Sequence, residues 1–110
     1  MNTIEQNIRA RKSTRRFREK DIPEEVIFRI VEAATYAPTS CNRQLWHFVA
    51  IHDPKLKKEL VEKTVAYQPY IMDAPVVIAV FYDIRQEKND PFYAPYQSVG
   101  MAVQNMMLVA

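Results

Sequence analysis

Apolar residues recur along this chain at two spacings, three to four residues apart in some stretches and nearly continuous in others. Thr3 to Ala10 reads as a short helix, with Asn2 or Thr3 as its cap and Ile4 and Ile8 four apart on one face. Residues 11–20 are polar and basic around a single Phe17, and read as a connection. Asp21-Ile22-Pro23-Glu24-Glu25 is a helix start, with proline in the first turn and acids at the positive end of the dipole. Ile27, Ile30, Val31 and Ala34 carry its apolar stripe to about Tyr36, and Pro38 ends it. Thr39 to Gln44 is a polar loop, and Trp46 to Ile51 is short and β-rich, hence a strand. Asp53-Pro54 opens a helix to about Ala66 on a stripe of Leu56, Leu60 and Val61. Tyr67 to Asp73 is irregular or a single helical turn. Val76 to Tyr82 is almost wholly apolar and predicts a strand buried on both faces. Asp83 to Pro95 is a polar loop, and Tyr96 to Ala110 a helix that is apolar nearly all round, with Gly100 and Ala102 leaving room for a close neighbour.

Alternating helices and strands argue for a three-layer α/β or α+β fold, and 110 residues suffice for one domain, residues 1–110. Two strands do not complete a sheet in which one is buried on both sides. The final Met106-Met107-Leu108-Val109-Ala110 lies inside an apolar helical pattern without a stop signal. The expectation is therefore an amino-terminal part, with the remaining strands after residue 110 or in another chain.

Composition removes several function classes. A net charge of +2 is too small to make nucleic acid or an anionic membrane the main partner. Glu24, Glu25, Glu32, Glu59 and Glu62 also interrupt any broad basic face. Cys41 is the single cysteine, which excludes an internal disulfide and a cysteine-type structural zinc site. His47 and His52 sit on or beside a strand, five residues apart, and make a poor metal pair, so no metal is expected. The start has no signal-peptide pattern, and the longest apolar run is too short to span a bilayer, so a cytoplasmic protein is expected.

Two segments bear chemistry. In Arg11-Lys12-Ser13-Thr14-Arg15-Arg16-Phe17, guanidinium forks and a hydroxyl suit a phosphate, and Arg11, Ser13 and Arg15 alternate to one side of an extended stretch. The same run also suits a solvated basic linker. In Ala37-Pro38-Thr39-Ser40-Cys41-Asn42-Arg43-Gln44-Leu45-Trp46-His47-Phe48, hydroxyls and carboxamides offer donors and acceptors for a heteroaromatic edge or a polyol. Taken alone, these residues read better as a polar helix–strand turn whose Asn and Ser satisfy their own backbone. Cys41 has no base or helix dipole to activate it and reads as a small spacer. Met101, Met106 and Met107 read as core or interface filler; Tyr93 and Tyr96 flank a loop able to cover a site, though burial of the rings is explanation enough.

Taken together and in this order, the two segments resemble the nitroreductase family, whose amino half carries Arg-Arg-Ser-x-Arg-x-Phe and then Ala-Pro-Ser-x-x-Asn-x-Gln-Pro-Trp-x-Phe. Asp73-Ala74-Pro75-Val76-Val77-Ile78 and the Gly100 to Ala110 helix extend the resemblance over essentially the whole chain. It implies an α+β fold with a mixed, mainly antiparallel sheet between helices, completed by a homodimer. It also implies an oxidoreductase in which NAD(P)H reduces FMN and a nitroaromatic, quinone or similar small-molecule acceptor takes the electrons. By resemblance, Arg11, Lys12 and Ser13 hold the FMN phosphate and ribityl chain, with Arg15 near them. Pro38, Thr39, Ser40 and Asn42 reach the partner subunit's flavin, Gln44 adds a contact, and Gln68 approaches the ring on a looser alignment. No side chain is assigned as acid, base or nucleophile. Lys12, Thr39 and Leu45 replace the family's usual arginine, serine and proline, and Leu45 loosens the turn. A non-catalytic flavin-binding or dimerisation module is the alternative, because the family's carboxyl-half contributions to the site have no counterpart in these residues.

Overall fold

The computed structural model describes residues 2–65 and 68–110, in which helices and strands follow one another as α1 (Thr3–Ala10), α2 (Glu24–Thr35), β1 (Trp46–Ile51), α3 (Pro54–Thr64), β2 (Val77–Tyr82) and α4 (Ala94–Val109). Each boundary has a local cause. The Asn2 side chain accepts from the Glu5 N–H while the Glu5 carboxylate accepts from the Asn2 N–H, closing a capping box at α1. Pro23 stands at the cap of α2, one place outside the helix rather than in its first turn, and the acids Glu24 and Glu25 open it. Asp53 caps α3 by accepting from the Leu56 N–H at 2.8 Å, with Pro54 inside the first turn. α3 runs to Thr64; the expected end at Ala66 and the start of the next turn at Tyr67 lie outside the described residues. A short 3-10 turn, Pro69–Asp73, occupies the rest of that stretch.

The two strands pair antiparallel, with Trp46 opposite Tyr82, Phe48 opposite Val80 and Ala50 opposite Ile78. One face of this ribbon meets α2 and α4. There Ala34, Ala37, Trp46, Ala102 and Met106 form the buried core, with Ile30, Phe48, Ile78, Val80, Tyr82 and Val103 packed round it. The small side chains Ala34 and Ala102 are fully buried, so α2 and α4 approach closely. Asn105 Nδ2 adds a hydrogen bond of 3.1 Å to the Ala33 carbonyl across that contact. On the ribbon's other face Val49 and Phe81 are exposed, and Ile51 alone is buried. α3 packs on the Pro69–Asp73 turn, and the buried Lys57 donates to the Ala74 carbonyl at 2.6 Å.

Several expectations need correction. β2 is not buried on both faces: its residues are half-buried and Phe81 is exposed, because among the described residues α2 and α4 cover one face of the ribbon and leave the other largely open. α4 begins at Ala94, not Tyr96, since Pro95 is tolerated in a first turn whose N–H groups have no helical partner. Its buried stripe is Ala94, Ser98, Ala102 and Met106, a four-residue repeat, while Met101, Met107 and Val109 are exposed. Gly100 does not lie at a close approach among the described residues; a Cβ there meets nothing within 4 Å. The rings of Tyr93 and Tyr96 are exposed rather than buried. No helix among the described residues is long and apolar enough to cross a membrane.

Candidate functional site

The basic stretch leaves α1 through Arg11, whose N–H closes the helix on the Asn7 carbonyl. From Lys12 onward the residues are irregular and exposed, Ser13 and Arg15 among them, while Arg11 is half-buried. Ion pairs among the described residues join Arg43 to Glu87, Lys58 to Glu62, Lys63 to Glu59 and Arg85 to Asp83. None of them engages Arg11, Lys12, Arg15, Arg16 or Arg18, so no carboxylate neutralises this cluster within the described chain. A run of like charges without counter-charge is an arrangement suited to an anion.

The Thr39–Gln44 loop is more tightly built. Ser40–Asn42 form a 3-10 turn in which the Asn42 N–H donates to the Thr39 carbonyl and the Arg43 N–H to the Ser40 carbonyl. Cys41, Asn42 and Gln44 all adopt left-handed backbone, with φ of 53°, 52° and 55°. Asn accepts this region readily; Cys and Gln pay about 1–2 kcal/mol each. Three ties hold the strained turn. Thr39 Oγ1 accepts from the Gln44 N–H at 3.1 Å, the Leu45 carbonyl accepts from the Asp83 N–H at 2.9 Å, and Arg43 reaches Glu87 Oε1 at 3.4 Å. The looseness expected from Leu45 is offset by these anchors. The loop's polar side chains stand outward, with Asn42 and Gln44 exposed and Thr39 and Ser40 half-buried.

No hydrogen bond or ion pair among the described residues joins the two segments. Pro38 instead lines a shallow groove with Tyr96, Gly100 and Met101 of α4. Gln68 is half-buried beside the Pro69–Asp73 turn; its backbone N–H donates to Val65 and its carbonyl accepts from Ile71. Cys41 is exposed and unbridged, and the described residues contain no cluster of His, Cys, Asp and Glu able to hold a metal.

Sequence reasoning passed over two buried ionic groups. Lys57 sits on the predicted polar side of α3, and Glu87 in a predicted solvent loop, yet both are nearly fully buried. No periodicity marks either. The ion pair across 44 residues between Arg43 and Glu87 is a tertiary fact. Near Glu87, burial raises the Tyr82 hydroxyl pKa; the Ser98 hydroxyl opposes the rise and the Glu87 carboxylate adds to it. At the exit of β2, Arg85 hydrogen-bonds Asp83 through its Nε and guanidinium and lowers that carboxyl to about 2.

Residues 8–66 match the nitroreductase family. A protein of Methanothermobacter thermautotrophicus, provisionally named NADH dehydrogenase/NAD(P)H nitroreductase, is 34% identical over 106 residues, covering 94% of this chain and 52% of its own length. An NADH dehydrogenase of Thermus thermophilus is 38% identical over 74 residues, 67% of this chain and 36% of its own. Among solved structures, a provisionally named nitroreductase of Desulfovibrio desulfuricans in complex with FMN is 33% identical. It superposes with a TM-score of 0.85 over the whole of this chain and 63% of the other. The chain thus spans about half the length of the curated relatives it matches.

Proposed function

The chain belongs to the nitroreductase family, and from that premise we propose that it supplies the amino-terminal elements of an FMN site in a cytoplasmic NAD(P)H oxidoreductase. FMN, when bound, supplies hydride and electron chemistry that amino-acid side chains lack. The protein's share is binding and orientation. Arg11, Lys12 and Ser13 hold the phosphate and ribityl hydroxyls, and Arg15 adds charge beside them. Pro38, Thr39, Ser40, Asn42 and Gln44 present polar groups to the flavin of the partner subunit in a homodimer, and Gln68 lies toward the ring. The electrons then pass to a nitroaromatic, a quinone or a similar acceptor.

The observation that carries this reading is the pairing of an un-neutralised cation cluster with a strained, anchored polar loop. That no hydrogen bond among the described residues joins the two segments supports sites shared between subunits. The exposed Met101, Met107 and Val109 of α4 supply an apolar surface that a second copy would cover.

The test is FMN titration of the purified protein, followed by NADH and NADPH oxidation with a quinone acceptor. We expect flavin to bind more tightly than about 100 μM, roughly −5.5 kcal/mol. Absence of binding at that concentration defeats the proposal. Binding without turnover selects the second reading, a non-catalytic flavin-binding or dimerisation module.

A further inference from the structure

Glu87 is the one buried carboxylate among the described residues, its side chain 1% exposed in the turn that follows β2. Backbone bonds hold that turn: the Glu87 N–H donates to the Ile84 carbonyl at 2.9 Å, and the Asp90 N–H to the Glu87 carbonyl at 3.1 Å. The Tyr82 hydroxyl has the Glu87 carboxylate and the buried Ser98 hydroxyl of α4 as its hydrogen-bonding neighbours. From the loop side, Arg43 donates to Glu87 Oε1 at 3.4 Å. A carboxylate so enclosed is a fixed point, because parting from its cation would strand a buried charge. The exposed pairs Lys58–Glu62 and Lys63–Glu59 lack this property, since both members can part into water.

The fixed point acts on the middle of a strained turn. The bonds to Thr39 and Ser40 close the loop on itself, and the bond between Leu45 and Asp83 holds only its exit. Arg43 is a right-handed residue, φ −71°, between left-handed Asn42 and Gln44. Its side chain makes the loop's one side-chain bond to another part of the fold among the described residues. Because Cys41 and Gln44 occupy a backbone region unfavourable to them, a relaxed loop competes with the one described.

We propose that Glu87 is a positioning residue for flavin: through Arg43 it holds the turn that presents Asn42 and Gln44, and so sets flavin affinity without touching the ligand. The inference rests on the reading of Thr39–Gln44 as a flavin loop. It gives the segment after β2, which carries none of the residues assigned to the flavin, a share in the site. Apparent affinity scales with the fraction of molecules that hold the competent loop. The tie acts on this loop and not on the Arg11–Ser13 cluster, so FMN and riboflavin lose affinity equally when it is cut.

The test is Glu87→Met in the full chain. Methionine is close in volume and removes the acceptor and the buried charge together, while Arg43 can turn to water, so the variant should melt close to wild type. Its affinities for FMN and for riboflavin should each fall about tenfold. The strong intraresidue HN–Hα cross-peaks that mark positive φ at Cys41, Asn42 and Gln44 should weaken in NOE spectra. Arg43→Met/Glu87→Gln should keep its stability and still bind flavin weakly with weakened cross-peaks, and it serves if Glu87→Met does not fold; a purely structural tie would restore stability and affinity together. Unchanged flavin affinity, retained cross-peaks, or a loss confined to FMN in a folded variant overturns the proposal. Wild-type protein that binds no flavin is a distinct result, which defeats the underlying flavin reading and takes the proposal with it.

Discussion

Arg43→Met tests whether a buried carboxylate anchors the Thr39–Gln44 loop. In the native chain the Glu87 side chain is 1% exposed, and Arg43, its side chain 37% exposed, is its one charged partner among the described residues. Breaking a fully buried pair by removing one member costs about 3–5 kcal/mol, because the other charge stays buried and uncompensated. Here the arginine is more than a third exposed and the contact is long, 3.4 Å, so water already shares the work. A discounted cost of about 1–2 kcal/mol is expected. For a chain this size that lowers Tm by roughly 4–12 °C, measurable by calorimetry or circular dichroism. The decisive comparison is Arg43→Met with Arg43→Met/Glu87→Gln. If the penalty belongs to the stranded charge, the double variant recovers most of it, and the cycle shows coupling well above the roughly 0.5 kcal/mol scatter of independent sites. Equal melting of single and double variants refutes the anchor and makes Arg43 an ordinary surface residue.

Arg11→Ala should weaken FMN about ten- to a hundredfold and riboflavin hardly at all, since charge-assisted bonds contribute roughly 1.5–3 kcal/mol and only FMN carries the phosphate; equal losses would assign Arg11 to the fold. Thermal stability should rise with protein concentration if folding and dimerisation are linked, and sedimentation at micromolar concentration should find a dimer; a stable monomer removes the shared-site picture. Cys41→Gly should stabilise the loop by up to about 1 kcal/mol, because glycine adopts φ near 53° without strain; destabilisation would show that the thiol makes contacts outweighing the strain. The Asp83 carboxyl, lowered to about 2 from 3.8 by the Arg85 hydrogen bonds, should titrate by NMR near 2 and return toward 3.8 in Arg85→Gln. Its folded pKa is depressed, so its contribution to stability is present above pH 3.8 and is lost as the pH falls through 2.

The parts of this molecule legible in its sequence are those decided by neighbours in the chain. α1 and β1 fall at the expected residues because a capping box at Asn2–Glu5 and the Trp46–Ile51 run are local signals. α4 was placed two residues late because Pro95 reads as a breaker, although a first turn accepts it. The candidate loop was legible as polar and flanked by rigid elements. Its three left-handed residues were not, since Cys41 and Gln44 carry no turn signature and are held there by Thr39 and Glu87. Glu87 itself reads as solvated because charge in a loop ordinarily is, and only the return of β2 beside Arg43 buries it.

The exposed apolar side chains complete this contrast between local and tertiary causes. Val49 and Phe81 face outward from a two-stranded ribbon, Met101, Met107 and Val109 from α4, and Ile4 and Ile8 from α1. The spacing puts Ile4 and Ile8 on one face of α1, but periodicity names a face without naming what covers it. In the superposed family structures this chain accounts for about 62–63% of the partner's length. α4, apolar on more than one side, keeps Met101, Met107 and Val109 exposed among the described residues. The Thr39–Gln44 loop follows the same logic. Its strained turn is held within this chain, while Asn42 and Gln44 are exposed. Each segment reads as a bland basic linker or polar turn when taken alone, and it is the order and spacing of the two together that carry the family resemblance.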